Sequence, residues 1–600
     1  MSKAHKLPPR TKTRPADTWD LSSLFPNDKA WEKAFQKWEK TIPRYEKFCA
    51  TLGDSAAALA SCLRFDSQFE RTAEKLETYA FLKTTEDTAN STYQRMQGRY
   101  QHADSKAAQA ASFIRPEILA ISKSRLKRFL PARELRPYRL KLQRLLRHQP
   151  HTLARSEEKL LAMQAEMSRA ASKVFRQLTD ADLKFGTVRN EAGDDVELSH
   201  ATFSVFLHSP KRRVRQKAFH QYYEQFSAHE NTLAATLSGS IQRDVYYAKA
   251  RGFASAREKS LFKDNVPVAV YDNLIDAVHE KLSVLYRYFE IRRRKMRLRD
   301  LHHYDTYVPI LSELRVRQPW NRAVKTIIAA LQPLGDKYCS VLEAGLRGRW
   351  CDRYPNQGKQ SGAFSCGSYD GDPHILMNYQ PDVLDHVFTL AHEAGHSMHS
   401  HLSAQHQPFE YYDYTIFVAE VASTFNEQLL GRHLMQNAKS DAQRAYLINR
   451  EIDAIRGTII RQTMFAEFEK IAHEAAESGE PLTVDWFKQA YSLLLEQYFG
   501  PDFVRDQCLA LECFRIPHFY RAFYVYKYAT GLSAAIALSE RVMNGGSQEL
   551  NEYLSFLKGG CSKYPLELLR DAGVDMEQRQ PVQSALAYFE RLVEELDELL

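Results

Sequence analysis

Phe388-Thr389-Leu390-Ala391-His392-Glu393-Ala394-Gly395-His396 places two imidazoles and a carboxylate at a spacing that makes chemical sense only on a helix. At about 100° per residue, His392 and His396 share one face a turn apart, and Glu393 points beside them. Two neutral ring nitrogens so placed can hold a zinc ion while the carboxylate handles the proton of a water molecule. Pro381-Asp382 supplies a helix start, and Val383, Val387, Phe388 and Leu390 form an apolar stripe leading into the motif. His399 falls on nearly the same face seven residues after His392, as a group supporting the site or as an unrelated histidine.

Two ligands hold zinc poorly, so a third is required. The pattern that takes it from a histidine six residues after the second fails here, because that position is Leu402. Glu420 is the candidate. It lies in the apolar, helix-length run Thr415 to Phe425, where an ionised carboxylate is costly to bury unless a cation accompanies it. Glu427, two turns later, either orients a ligand or forms a salt bridge. Two histidines and one glutamate leave a coordination position open, the arrangement of a catalytic rather than a structural zinc.

Several longer stretches carry a resemblance: Gly358-Lys359-Gln360-Ser361-Gly362-Ala363-Phe364-Ser365, His374-Ile375-Leu376-Met377-Asn378-Tyr379, the motif itself, and Phe417-Val418-Ala419-Glu420-Val421-Ala422-Ser423-Thr424. Together they resemble oligoendopeptidase F, of the thimet-oligopeptidase-like zinc peptidases, nearly end to end, from Thr18-Trp19-Asp20-Leu21 to Asp571-Ala572-Gly573-Val574-Asp575-Met576. The resemblance implies one Zn2+ on His392, His396 and Glu420, with Glu393 as the catalytic carboxylate. It also draws in Pro517 to Gly531, where His518 and Tyr528 are implied to steady the tetrahedral intermediate. Relatives place a tyrosine where this chain has Arg521, and Tyr524, one turn before Tyr528, is the substitute. Phe519, Phe523 and Tyr526 read as core.

Around the motif, Gly348 to Pro373 reads as loop and Ile375 to Tyr379 as a strand, which pairs within the domain, binds an extended peptide along an exposed edge, or both. The aromatic segment Phe409 to Tyr414 joins the two ligand-bearing helices, lining a substrate path or simply packing. Elsewhere helical periodicity dominates. Trp31, Phe35 and Trp38 recur at i, i+4 and i+7 behind Asn27-Asp28, with similar patterns in 55–115, 155–175 and 210–250. The fold expected is mainly α: a multi-lobed helical metallopeptidase with a small β-sheet beside the zinc site and, by resemblance, a deep substrate channel. Residues 1–16 read as a flexible segment, 17–200 as an N-terminal helical lobe, and 201–600 as the catalytic domain, with a polar break near 190–205.

Composition excludes several classes. Residues 1–16 lack an apolar core for a secretory signal, and no apolar run reaches membrane-spanning length. Eight cysteines scattered over 600 residues point to a reducing cytoplasm. Cys366, before the expected strand, is either redox-sensitive or a plain thiol. A net charge of +8 against 82 basic and 74 acidic residues demands no acidic partner. The basic runs Lys211-Arg212-Arg213 with Arg215, and Arg292 to Lys295 with Arg297 and Arg299, read as solvated helix faces rather than a nucleic-acid surface. Short peptides are the expected partners, cut internally by a water that Glu393 deprotonates. A scaffold that keeps a metal without turnover, and a carboxypeptidase on the same frame, are the rival readings.

Overall fold

Asn27 starts the first long helix as the sequence spacing predicts. Its side chain accepts the amide of Ala30, and helix Asp28–Glu39 buries Trp31, Phe35 and Trp38 on one face. The structure is a computed structural model that describes residues 6–311, 314 and 316–600. Helices make up most of it, with two two-stranded sheets and one three-stranded sheet among the described residues.

The chain divides into two compact units, each assembled from three separated segments. One comprises Met1–Thr152, Arg315–Arg432 and Leu538–Gly573; the other comprises Leu153–Leu314, His433–Ala537 and Val574–Leu600. The lobes expected at 17–200 and 201–600 do not follow this division, because each unit interleaves early and late segments. The expected polar break is a hairpin within the second unit, pairing Thr187–Arg189 with Asp195–Glu197.

In the first unit, helices Ala56–Glu86 and Ser91–Ala111 complete a core with the opening helix. Trp38 stacks on Tyr100 at 5.6 Å between ring centroids, and the Trp31 indole N–H donates to the Leu76 carbonyl. This core extends to Leu376 in the three-stranded sheet and so backs the candidate site. The N-terminal segment expected to be flexible is tied down from Pro8 onward. Pro8 O accepts the amide of Gln357, and Arg10 pairs with the buried Asp352 at 2.5 Å. Residues 1–5 of that segment lie outside the described residues.

The sheet corrects the strand reading. Its order is Cys351–Asp352, His374–Leu376, Phe364–Cys366, the first pair parallel and the second antiparallel. The strand is therefore His374–Leu376 rather than Ile375 to Tyr379, and it is central, with both edges paired. The stretch read as loop holds both outer strands, because short strands between turn residues carry no period long enough to detect. Cys366 is a strand residue opposite His374, and burial pushes its thiol up to about 12, far from a reactive thiolate. The Lys359 side chain is fully buried against the carbonyls of Asp352, Tyr354 and Met377 and 2.6 Å from the Asp352 carboxylate, so it braces this region.

The second unit corrects the basic runs. Arg215 and Arg292 are buried, not solvated. Arg215 pairs with Asp305 at 2.6 Å, and Arg292 donates to the carbonyls of Asp305 and Val308. They are internal struts of the fold.

Candidate metal centre and catalytic residues

Helix Asp385–His406 carries the motif. It begins after Leu384, four residues later than Pro381 suggests; Pro381 and Asp382 form a turn, and the Pro381 carbonyl accepts the amide of Gln318. Val387, Phe388, Leu390, Ala391 and Ala394 are buried, so the opposite side of the helix turns His392 and His396 toward the partly exposed face. Helix Ile416–Gln436 crosses it closely. A Cβ built on Gly395 would lie 2.5 Å from the Ala422 carbonyl oxygen and 2.6 Å from the Ser423 Cα, so only glycine permits the approach. The buried Asn426 amide donates to the Ala391 carbonyl at 3.1 Å and locks the register of the pair.

That register brings Glu420 between the imidazoles. Its Oε2 is 3.3 Å from His392 Nε2 and 3.6 Å from His396 Nε2. Among the described residues these three form the group able to hold a metal, with donor atoms within 4.8 Å of one another. Donors about 2.0–2.1 Å from a tetrahedral zinc stand about 3.3 Å apart, so the spacing fits the ion without rearrangement of the backbone. Glu420 is 38% exposed at its side chain, less buried than an apolar run suggests.

Glu427 meets one imidazole of this group. Its Oε1 lies 2.7 Å from His392 Nδ1, which fixes Nε2 as the nitrogen facing Glu420. Burial opposes charge on His392, but the bonds to Glu420 and Glu427 overcome it and push the imidazole up to about 10. Burial likewise opposes charge on Glu420, yet the two imidazoles hold it well below the usual carboxylate range. The imidazoles and the carboxylates thus stabilise one another's charge.

Glu393 is 7% exposed and lies outside the three-donor group. Burial raises its proton affinity, partly offset by His392, His396 and the backbone of Ser365. That shift brings a carboxylate nearer the range where it exchanges protons at neutral pH. Sequence reading missed Ser365, which stands on the sheet's outer strand and whose hydroxyl lies 2.8 Å from that of Ser397. It also missed Gly395 and Asn426; only the small residue inside the motif hinted at close packing.

His399 is not brought to the ligands. It is buried and stacked on Tyr414 at 3.7 Å, and burial lowers it to about 3, so it packs as a neutral ring. Tyr414 lies just beyond a short helix, Phe409–Tyr412, within the aromatic connection. Its hydroxyl is 2.9 Å from Ser400 Oγ.

In the second unit, His518, Tyr524 and Tyr528 form one aromatic cluster. His518 stacks on Tyr524 at 6.0 Å and meets Tyr528 edge-on at 6.0 Å, while the two tyrosines are 5.3 Å apart. The helix there begins at Tyr526, so Arg521 and Tyr524 precede it, and the expected one-turn helical relation of Tyr524 to Tyr528 does not hold. Irregular backbone brings Tyr524 to Tyr528 instead. Phe523 takes a left-handed φ of 57°, and its amide donates to the buried Glu469 carboxyl at 3.0 Å. Phe519, Phe523 and Tyr526 are core, as their aromatic character predicts.

Residues 205–588 match the family model described as Peptidase family M3, and residues 117–185 match one described as Oligopeptidase F. The chain belongs to peptidase family M3. It is therefore a metalloendopeptidase. It is 41% identical to Oligopeptidase PepF of Bacillus subtilis, an alignment covering all of this chain and 89% of that one. A solved Chlamydophila abortus protein described as a peptidase superposes with a TM-score of 0.94 at 37% identity, covering 99% and 100% of the two chains. The oligoendopeptidase-F structure from Enterococcus faecium gives 0.74 at 35% identity, covering 95% and 99%.

Proposed function

We propose that this M3 peptidase is a zinc-dependent endopeptidase that hydrolyses internal bonds of short oligopeptides, with Glu393 as general base and acid. The observation that carries the reading is the His392–His396–Glu420 donor set at zinc-compatible spacing, with Glu393 beside it but outside it. Bound there, zinc would supply Lewis acidity toward the scissile carbonyl and the attacking water. Glu427 holds the His392 ring so that Nε2 stays available as a donor. Glu393, its proton affinity raised by burial, takes a proton from the attacking water and passes it to the leaving amine. His518 and Tyr528, with Tyr524, donate hydrogen bonds to the developing oxyanion and the substrate backbone.

The substrate is an extended chain that enters a deep channel, which selects oligopeptides over folded proteins. Because His374–Leu376 is paired on both sides, it offers no edge for that chain; the outer strand Phe364–Cys366, which bears Ser365, takes its place. Among the described residues no helix is long and apolar enough to cross a membrane. The eight cysteines are free thiols, which supports a cytoplasmic setting.

The test is Glu393→Gln. Metal analysis of the purified variant should return one zinc per chain, while turnover of a short peptide falls by ~100-fold or more. Hydrolysis near the unsubstituted rate would remove Glu393 from the chemistry.

A further inference from the structure

Several cations near the aromatic cluster are ion-paired. Arg515 pairs with Glu512 at 2.7 Å, Lys527 with Asp264 at 2.7 Å, and Arg243 with Asp244 at 2.9 Å. Among the described residues no carboxylate pairs with Arg521, although its side chain is ordered by a neighbour. The guanidinium carbon sits 4.2 Å from the Tyr524 ring centroid, and the Arg521 amide donates to the His518 carbonyl at 2.8 Å. Stacking on a π face immobilises a guanidinium yet leaves its N–H edge free for a planar anion. The residue is exposed, so an incoming group can reach that edge.

The segment that carries it is fixed from several sides. Glu469 takes the Phe523 amide, the Ser260 hydroxyl donates to the Ala522 carbonyl at 3.3 Å, and the Tyr520 hydroxyl lies 2.7 Å from Thr236 Oγ1. Arg521 is thus presented beside His518 and Tyr524 in a set direction, the condition for a charge to select rather than merely attract.

We infer that Arg521 is a specificity-determining residue that makes this peptidase prefer peptides carrying a carboxylate, from Asp or Glu, near the cleaved bond. The inference rests on the reading that His518, Tyr524 and Tyr528 contact the substrate. A carboxylate accepting two N–H bonds from a pre-stacked guanidinium gains more than a chance surface pair, and a lysine at that position meets repulsion.

The experiment uses peptides identical but for Glu, Gln or Lys, placed in turn at each position flanking the cleaved bond. The full-length protein should show a kcat/KM ratio of Glu to Gln of about five- to tenfold at one position, declining as salt rises. Arg521→Gln should bring that ratio to about one, and Arg521→Glu should invert the order in favour of Lys. A ratio near one in the unsubstituted protein, or one unmoved by Arg521→Gln, would overturn the inference. The same ratio is read as Kd by titrating the peptides onto Glu393→Gln protein. Absent turnover with an Arg521-dependent Kd ratio would count against the hydrolytic reading alone and leave the preference standing.

Discussion

Glu420 and Glu427 are chemically identical, seven residues apart on one helix, and the geometry gives them different tasks. Glu420 faces both Nε2 atoms, whereas Glu427 meets His392 at Nδ1. Glu420→Gln should therefore lose most zinc affinity, while Glu427→Gln should lose only the ~10- to 100-fold typical of a partner that orients a ligand. Competition against a chromogenic chelator measures both, and the reverse order would exchange their roles. That His392, His396 and Glu420 come together was legible in the sequence, because an i, i+4 pair and a charge in an apolar run are local signals. The placement of Glu427 was not, since nothing in a linear spacing says which imidazole nitrogen a carboxylate meets.

At the scale of elements, one close approach shapes the metal cluster and one clamp shapes the tyrosine segment. The motif and glutamate helices touch at Gly395, where a Cβ would collide with backbone, which cannot swing aside as a flexible side chain does. Gly395→Ala should separate the helices, weaken zinc binding at least ~10-fold and lower the melting temperature by several degrees, as overpacking of about 1–3 kcal/mol does. Calorimetry and metal titration on one preparation test it; an unchanged affinity would mean that Glu420 is placed by something else. In the tyrosine segment the left-handed Phe523 is held by Glu469. Glu469→Leu, which removes the acceptor, should lower kcat more than it raises KM, and Glu469→Gln, which keeps it, should recover most of the loss. Equal kinetics in both would detach this clamp from catalysis. The helix around the motif was readable from its period. The short strands, the late start at Asp385 and the irregular backbone before Tyr526 were not, because each is decided by partners distant in sequence.

For the whole molecule, the periodic apolar spacing announced a mainly helical protein, and the Trp31–Phe35–Trp38 stripe is core where it was expected. The assembly of two units from interleaved segments was invisible, since contacts between residues hundreds of positions apart leave no local trace. The proposed channel, if it admits only an extended chain, predicts cleavage of a peptide of about ten residues and survival of the same sequence fixed in a stably folded carrier, whose backbone groups are already paired. Mass spectrometry of both digests decides this, and equal rates would replace the oligopeptidase reading with a general proteinase.

The central claim, metal-dependent hydrolysis of internal peptide bonds through this donor set, is tested most directly by incubating the purified protein with a mixed peptide pool, with and without chelator. The account predicts internal cleavage that stops on chelation, returns when one equivalent of zinc is restored, and is missing from His396→Ala with or without added zinc. Cleavage that persists in chelator, or His396→Ala protein that still binds zinc stoichiometrically and cuts, would contradict it.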